Sequence, residues 1–187
     1  MGQRHSTPFT EEELQDYQDL TYFTRKEILY VFEKFKSLDP EIIRQNKHAR
    51  LPIETVMKLS ELNVNPFKDR LCKVFSSEND DKMSFEDFLD MMSVLSNRAC
   101  KSIKTEYAFR IYDFDGDDMI NKQDLRELIR RLISKEERVM QDDDMQELIN
   151  HILAECDMDE DNCLSFTEFE HVISKSGDFM NTFRIRL

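Results

Sequence analysis

Apolar residues recur three and four positions apart along most of the chain, the spacing that lines one face of an α-helix. Ile28, Val31, Phe32 and Phe35 form one such stripe, and Phe85, Phe88, Leu89 and Met92 another. Further on, Tyr107, Ala108 and Ile111 are followed by Leu125, Leu128, Ile129 and Leu132. Met145, Leu148, Ile149 and Ile152 then lead to Phe166, Phe169, Val172 and Ile173. Between the members of each of the last two pairs lies a polar stretch too short for a further helix, and the first two stripes flank a longer segment with two such stretches. The pattern predicts an all-α chain of helix–loop–helix units. Ser93–Lys104 (SVLSNRACKSIK) reads as a partly helical connector between two halves, residues 1–95 and 104–187. Ser134–Asp144 (SKEERVMQDDD) reads as a solvated connector within the second half. At the C-terminus, Gly177 reads as a helix stop and Asp178 as the N-cap of a short final helix, with Phe179, Met180, Phe183 and Leu187 on one side.

The polar stretches of the second half carry chemistry. Asp113–Asp124 (DFDGDDMINKQD) and Asp157–Glu168 (DMDEDNCLSFTE) place Asp at positions 1, 3 and 5, an aliphatic residue at 8 and an acid at 12. This is the spacing of the EF-hand calcium loop: carboxylates 1, 3 and 5 converge on one hard cation, position 7 offers its carbonyl, and position 12 closes the shell. The candidate ligands are Asp113, Asp115, Asp117, Met119 (carbonyl) and Asp124, then Asp157, Asp159, Asp161, Cys163 (carbonyl) and Glu168. Glu168 can reach an ion with both oxygens, favouring Ca²⁺. Asp124 is one methylene shorter, so its loop should also accept the six-fold shell of Mg²⁺. Position 6, normally Gly, holds Asp118 and Asn162, residue types that tolerate positive φ. Ile120 and Leu164, both at position 8, are expected to pair as a short antiparallel ribbon.

The first half repeats this framework with fewer of its charges. Ser76–Asp87 (SSENDDKMSFED) keeps Met83 at position 8 and Asp87 at 12, but starts with Ser and offers only Glu78 and Asp80 at positions 3 and 5. Arg44–Thr55 (RQNKHARLPIET) keeps Leu51 at position 8 and has no carboxylate at 1, 3, 5 or 12. The reading is four EF-hands in two pairs with short loop ribbons, the front pair structural and the rear pair metal-binding. Leu128, Leu132, Ile152, Val172 and Ile173 are candidates to line a partner groove, and Phe179, Met180 and Phe183 to occupy it.

Charge narrows the partners. With Lys+Arg 26 and Asp+Glu 39 the formal charge is −13, which disfavours nucleic acid and bare anionic membrane and favours a basic amphipathic helix. The 14 Phe and 10 Met supply apolar and adaptable packing surface. Cys72, Cys100, Cys156 and Cys163 form no C-x-x-C pair, and no secretory segment precedes them, so a reduced cytosolic chain is expected. The histidines show no zinc spacing, no nucleotide-binding or nucleophile-elbow motif is present, and no apolar run reaches ~18 residues. No catalysis is expected.

Longer blocks carry a resemblance. YQDLTYFTRKEI (Tyr17–Ile28), NPFKDRLCKVFS (Asn65–Ser76), SFEDFLDMMSVLS (Ser84–Ser96), YAFRIYDFDGDD (Tyr107–Asp118) and FEHVISKSGDFMNTFRIRL (Phe169–Leu187) resemble the calcium- and integrin-binding protein family, a calcineurin B-like branch of EF-hand proteins. The resemblance covers nearly the whole chain and implies two silent front hands and two active rear hands with the ligand positions named above. It also implies a Ca²⁺/Mg²⁺-responsive adaptor for amphipathic cytoplasmic helices of membrane proteins, such as integrin α tails or transmembrane channel-like subunits. Calcineurin B kinship keeps a second reading open, a regulatory subunit of an enzyme such as a phosphatase. A cytosolic cation buffer is the third. Met1–Ser6 fits the N-myristoylation pattern M-G-x-x-x-[ST], making Gly2 a lipidation candidate and the protein peripherally membrane-associated. A buffer needs neither lipid nor groove, so Gly2 and the tail argue against it.

Overall fold

Each apolar stripe buries one helix face, and polar positions interrupt the helices at the loops. A computed structural model describes residues 7–133 and 140–185 of the 187. Gly2, part of the second connector, Arg186 and Leu187 lie outside the described residues. The chain divides into two units, one comprising Met1–Ala99 with Ile185–Leu187 and the other Cys100–Arg184.

The first unit contains α1 (Glu11–Leu20), α2 (Arg25–Leu38), α3 (Pro40–Gln45), β1 (Leu51–Pro52), α4 (Ile53–Val56), α5 (Ser60–Asn63), α6 (Lys68–Phe75), β2 (Lys82–Met83) and α7 (Phe85–Val94). Capping boxes start three of them: Thr10 with Glu13, Thr24 with Glu27, and Ser84 with Asp87. Phe9, Tyr17, Phe32 and Phe85 meet as a mostly edge-to-face ring cluster, with centroids as close as 4.7 Å. β1 and β2 run antiparallel, with Leu51 opposite Met83, both fully buried. Ile185 also belongs to this unit: its amide donates to the Leu95 carbonyl at 2.9 Å and its side chain is buried. Ile185 thus falls outside the second half expected for the tail, because its backbone partner lies in the first.

The second unit contains α8 (Lys101–Tyr112), α9 (Lys122–Ile133), α10 (Asp142–Cys156), α11 (Phe166–Lys175) and α12 (Phe179–Thr182). Ala108, Phe109, Ile120, Leu125, Ile129, Met145, Ile149, Leu153, Leu164, Phe169 and Phe179 form its core. Ile120 and Leu164 exchange two backbone hydrogen bonds, 2.9 and 2.8 Å, joining the two loops. Two local expectations need correcting. Asp142, Asp143 and Asp144 are not connector but the acidic first turn of α10, where they face the positive end of the helix dipole. Gly177 does not stop α11 through a left-handed turn: the helix ends at Lys175 because Ser176 is extended, and Gly177 has no positive φ. Asp178 holds the N-cap position of α12 without a side-chain cap bond.

Candidate metal centre

Each acidic loop is built by its own hydrogen bonds. In the loop after α8, Asp113 Oδ1 accepts from the Gly116 amide at 2.7 Å, and its Oδ2 from the Asp118 amide at 3.0 Å. Such bonding requires the chain to curl tightly. Gly116 (φ +77°) and Asp118 (φ +64°) supply the left-handed turns at positions 4 and 6. The loop after α10 repeats this with Glu160 (φ +60°) and Asn162 (φ +65°), and the Asn162 amide donates to Asp157 Oδ2 at 2.8 Å. Position 6 therefore adopts positive φ without glycine in both loops. At position 5, Asp117 and Asp161 accept from the amides of Met119 and Cys163 at 2.9 and 2.8 Å.

The acids at position 12 are anchored from both ends of their loops. Asp124 accepts from the amides of Phe114 (2.8 Å) and Asn121 (3.0 Å). Glu168 accepts from the amide of Met158 (2.7 Å) and from the amide and hydroxyl of Ser165 (2.9 and 2.7 Å). Asn121 and Ser165 escaped the reading of the sequence as positioning residues, although a capping residue three places before an acid is a legible signal. Both carboxylates are buried, yet their electrostatics differ. Burial raises the Asp124 pKa above its ordinary value, helped by Asp115 and Asp113, against the pull of the two amides. The Ser165 hydroxyl leads the groups that lower Glu168.

Asp113, Asp115 and Asp117 bring carboxylate oxygens within 4.8 Å of one another, and Asp157, Asp159 and Asp161 do the same. Asp157 Oδ1 is buried and has no hydrogen-bond partner among the described residues. A buried acceptor costs free energy unless something satisfies it. The hard all-oxygen donor set around it fits Ca²⁺ or Mg²⁺ and suits neither zinc nor copper.

The proposed groove residues divide. Leu128, Ile152, Ile173, Met180 and Phe183 pack in half-buried positions against the core, whereas Phe179 is part of the core itself. Val172 is half-buried, and Leu132 is 50% exposed. Tail and body meet closely: Phe179 and Phe183 stack at 5.4 Å, and the fully buried Lys104 donates through Nζ to the Phe183 carbonyl at 2.7 Å. No helix among the described residues is long and apolar enough to cross a membrane.

Paired helix–loop–helix units whose loops are joined by a two-residue bridge define an EF-hand protein, and residues 104–174 match the family model for an EF-hand domain pair. Over its full length the chain is 42% identical to calcium and integrin-binding family member 2 of Drosophila melanogaster, with all of both chains covered. It is 38% identical to the Mus musculus member 2 and 37% to the Homo sapiens member 3, again with complete coverage of both chains. The chain belongs to the calcium and integrin-binding family.

Proposed function

We propose that the protein is a Ca²⁺-binding sensor and adaptor whose rear pair holds two divalent cations while its front pair serves as structural support. Asp113, Asp115, Asp117, the Met119 carbonyl and Asp124 would hold one ion, and Asp157, Asp159, Asp161, the Cys163 carbonyl and Glu168 the other. The observation that carries this reading is the unpartnered, buried Asp157 Oδ1 within a triad of converging carboxylates. Glu168 suits Ca²⁺. Asp124, with its shorter reach, leaves its loop open to Mg²⁺ as well. Calorimetric titration of the full chain tests this: two sites are expected, the tighter lost in Glu168→Gln, and a cation-insensitive chain would refute it.

The partner is an amphipathic cytoplasmic helix of a membrane protein, an integrin α tail or a channel subunit. The names of the relatives, calcium and integrin-binding, support the first of these. The tail supports the mode of binding. Phe179, Met180 and Phe183 present a short apolar stripe to the rear core in the way a partner helix would, and a four-residue helix borrows its stability from packing. A helix so held can be displaced by a longer one. Myristoylation at Gly2 would add a reversible membrane contact, with the partner as second anchor.

A further inference from the structure

The second loop of the front pair turns left-handed at the same two positions as the acidic loops. Asn79 (φ +50°) and Asp81 (φ +55°) take the left-handed turns at positions 4 and 6. Asp87 at position 12 accepts from the Ser77 amide at 3.3 Å and the Ser84 amide at 2.9 Å, as Asp124 and Glu168 do from their own loops. Ser76 at position 1 lacks a carboxylate and donates its hydroxyl to the Lys82 carbonyl at 2.6 Å. The loop nevertheless holds a cation, and the cation is a side chain. Arg50 Nη2 lies 2.9 Å from Asp80 Oδ1 and 2.9 Å from the Lys82 carbonyl. Its Nη1 lies 3.2 Å from Asp87 Oδ2, 3.4 Å from Glu78 Oε1 and 3.4 Å from the Ser77 hydroxyl.

Glu78, Asp80, Lys82 and Asp87 stand at loop positions 3, 5, 7 and 12. These are the positions that supply oxygens to an ion in a metal-binding loop, with the carbonyl at 7 included. The guanidinium therefore meets the loop's ligand positions 3, 5, 7 and 12, lacking position 1 and position 9, which often acts through water. Arg50 reaches it from position 7 of the neighbouring loop, next to Leu51, whose pairing with Met83 fixes the distance. Arg50 is mostly buried and Asp87 is 7% exposed, so the contact is more than a solvated surface pair.

We infer that Arg50 is a built-in cation that occupies the second loop in place of a metal, holding the front unit in shape without Ca²⁺ and masking a latent divalent-cation site made by Glu78, Asp80, the Lys82 carbonyl and Asp87. A planar fork with several donors can satisfy three carboxylates and a carbonyl at once, which an ammonium cannot. The occupant is tethered and always charged, so this loop does not respond to the cation concentrations that the rear pair would read. That separates a constant half from a responsive one.

The test uses the full chain carrying Arg50→Ala, compared with its parent in chelator and in Ca²⁺. Removing the guanidinium leaves the buried Asp87 without its cation and beside the exposed carboxylates of Glu78 and Asp80, so the variant should melt about 5–10 °C lower in chelator. Calorimetry with Ca²⁺ should count one site more per chain than in the parent, whatever the parent's number. That site should be weak, on the order of 10⁻⁴–10⁻³ M, because position 1 is Ser. Millimolar Ca²⁺ should restore the lost melting temperature, and adding Asp87→Asn to Arg50→Ala should abolish both site and rescue. Arg50→Lys, which keeps the charge and a foldable loop, should show no extra site. An unchanged site count in Arg50→Ala overturns the inference, as does an extra site that survives Asp87→Asn. If the alanine variant does not fold, Arg50→Gln is read by the same criteria. Because the readout is a difference from the parent, the rear-pair reading can fail while this one stands.

Discussion

Replacing Glu168 by Gln removes one charge and one acceptor while keeping the side chain's shape. Glu168 is 4% exposed, and its two oxygens receive three hydrogen bonds, from the Met158 amide at 2.7 Å and from the Ser165 amide and hydroxyl at 2.9 and 2.7 Å. A glutamine can keep the Ser165 pair only by turning its NH₂ toward the Met158 N–H. One charge-assisted bond is then lost, costing about 1.5–3 kcal/mol even without metal. With metal the loss is larger. Two unit charges 4 Å apart at an effective dielectric of 20 attract by about 4 kcal/mol. Half of that figure is a roughly 30-fold loss of affinity, and all of it about 1,000-fold. We therefore expect Ca²⁺ affinity at the last loop to fall by about 30- to 1,000-fold. Calorimetry gives the affinity, and melting in chelator gives the metal-free cost separately. A variant that melts lower in chelator yet binds Ca²⁺ within threefold of the parent would show Glu168 to be a loop staple alone, and would refute its role as a ligand.

Asp124→Glu should shift the preceding loop from Mg²⁺ tolerance toward Ca²⁺, read as a change in the ratio of the two affinities; an unchanged ratio counts against the short-reach argument. Deleting Asp178–Leu187 should strengthen binding of an amphipathic integrin α tail peptide by about 1–2 kcal/mol, whereas weaker binding or unfolding of the rear unit would place the tail in the core or in the binding site. Burial, assisted by Arg184, lowers the Lys104 amine from its ordinary value of 10.5 to about 8. Between those two values the folded chain binds fewer protons than the unfolded one, so stability should rise as pH is raised through that window. Lys104→Met should flatten that rise in melts taken across it. Gly2→Ala should move the protein from membrane fractions to cytosol with unchanged cation affinity, and an unmodified N-terminal mass from eukaryotic cells would remove the lipid from the account.

The acidic loops were legible in the sequence because an EF-hand loop is a local object. Residues one to twelve wrap a single point, so spacing alone ties Asp113 to Asp124 and Asp157 to Glu168, and only the positive φ of Asp118 and Asn162 had to be assumed. The stripes were equally readable, since burial of one helix face is written at a period of 3.6. Ile120 and Leu164 could be paired in advance because both stand at position 8. The acidic turn at Asp142–Asp144 was misread as connector because charge clusters look alike in a loop and at the start of a helix.

Arg50 marks the limit of such reading. By itself it is a basic residue where an empty loop lacks carboxylates, and nothing in the neighbouring sequence announces a ligand. Asp87 lies 37 positions away, and only the pairing of Leu51 with Met83 brings the guanidinium onto the acids of the next loop. Ile185 is similar, since its amide finds Leu95, far away in the sequence. Local spacing determines which side chains can surround an ion. Which charge stands among them is decided by strand register and by the cost of leaving a buried carboxylate such as Asp87 unpaired, and both belong to the tertiary structure.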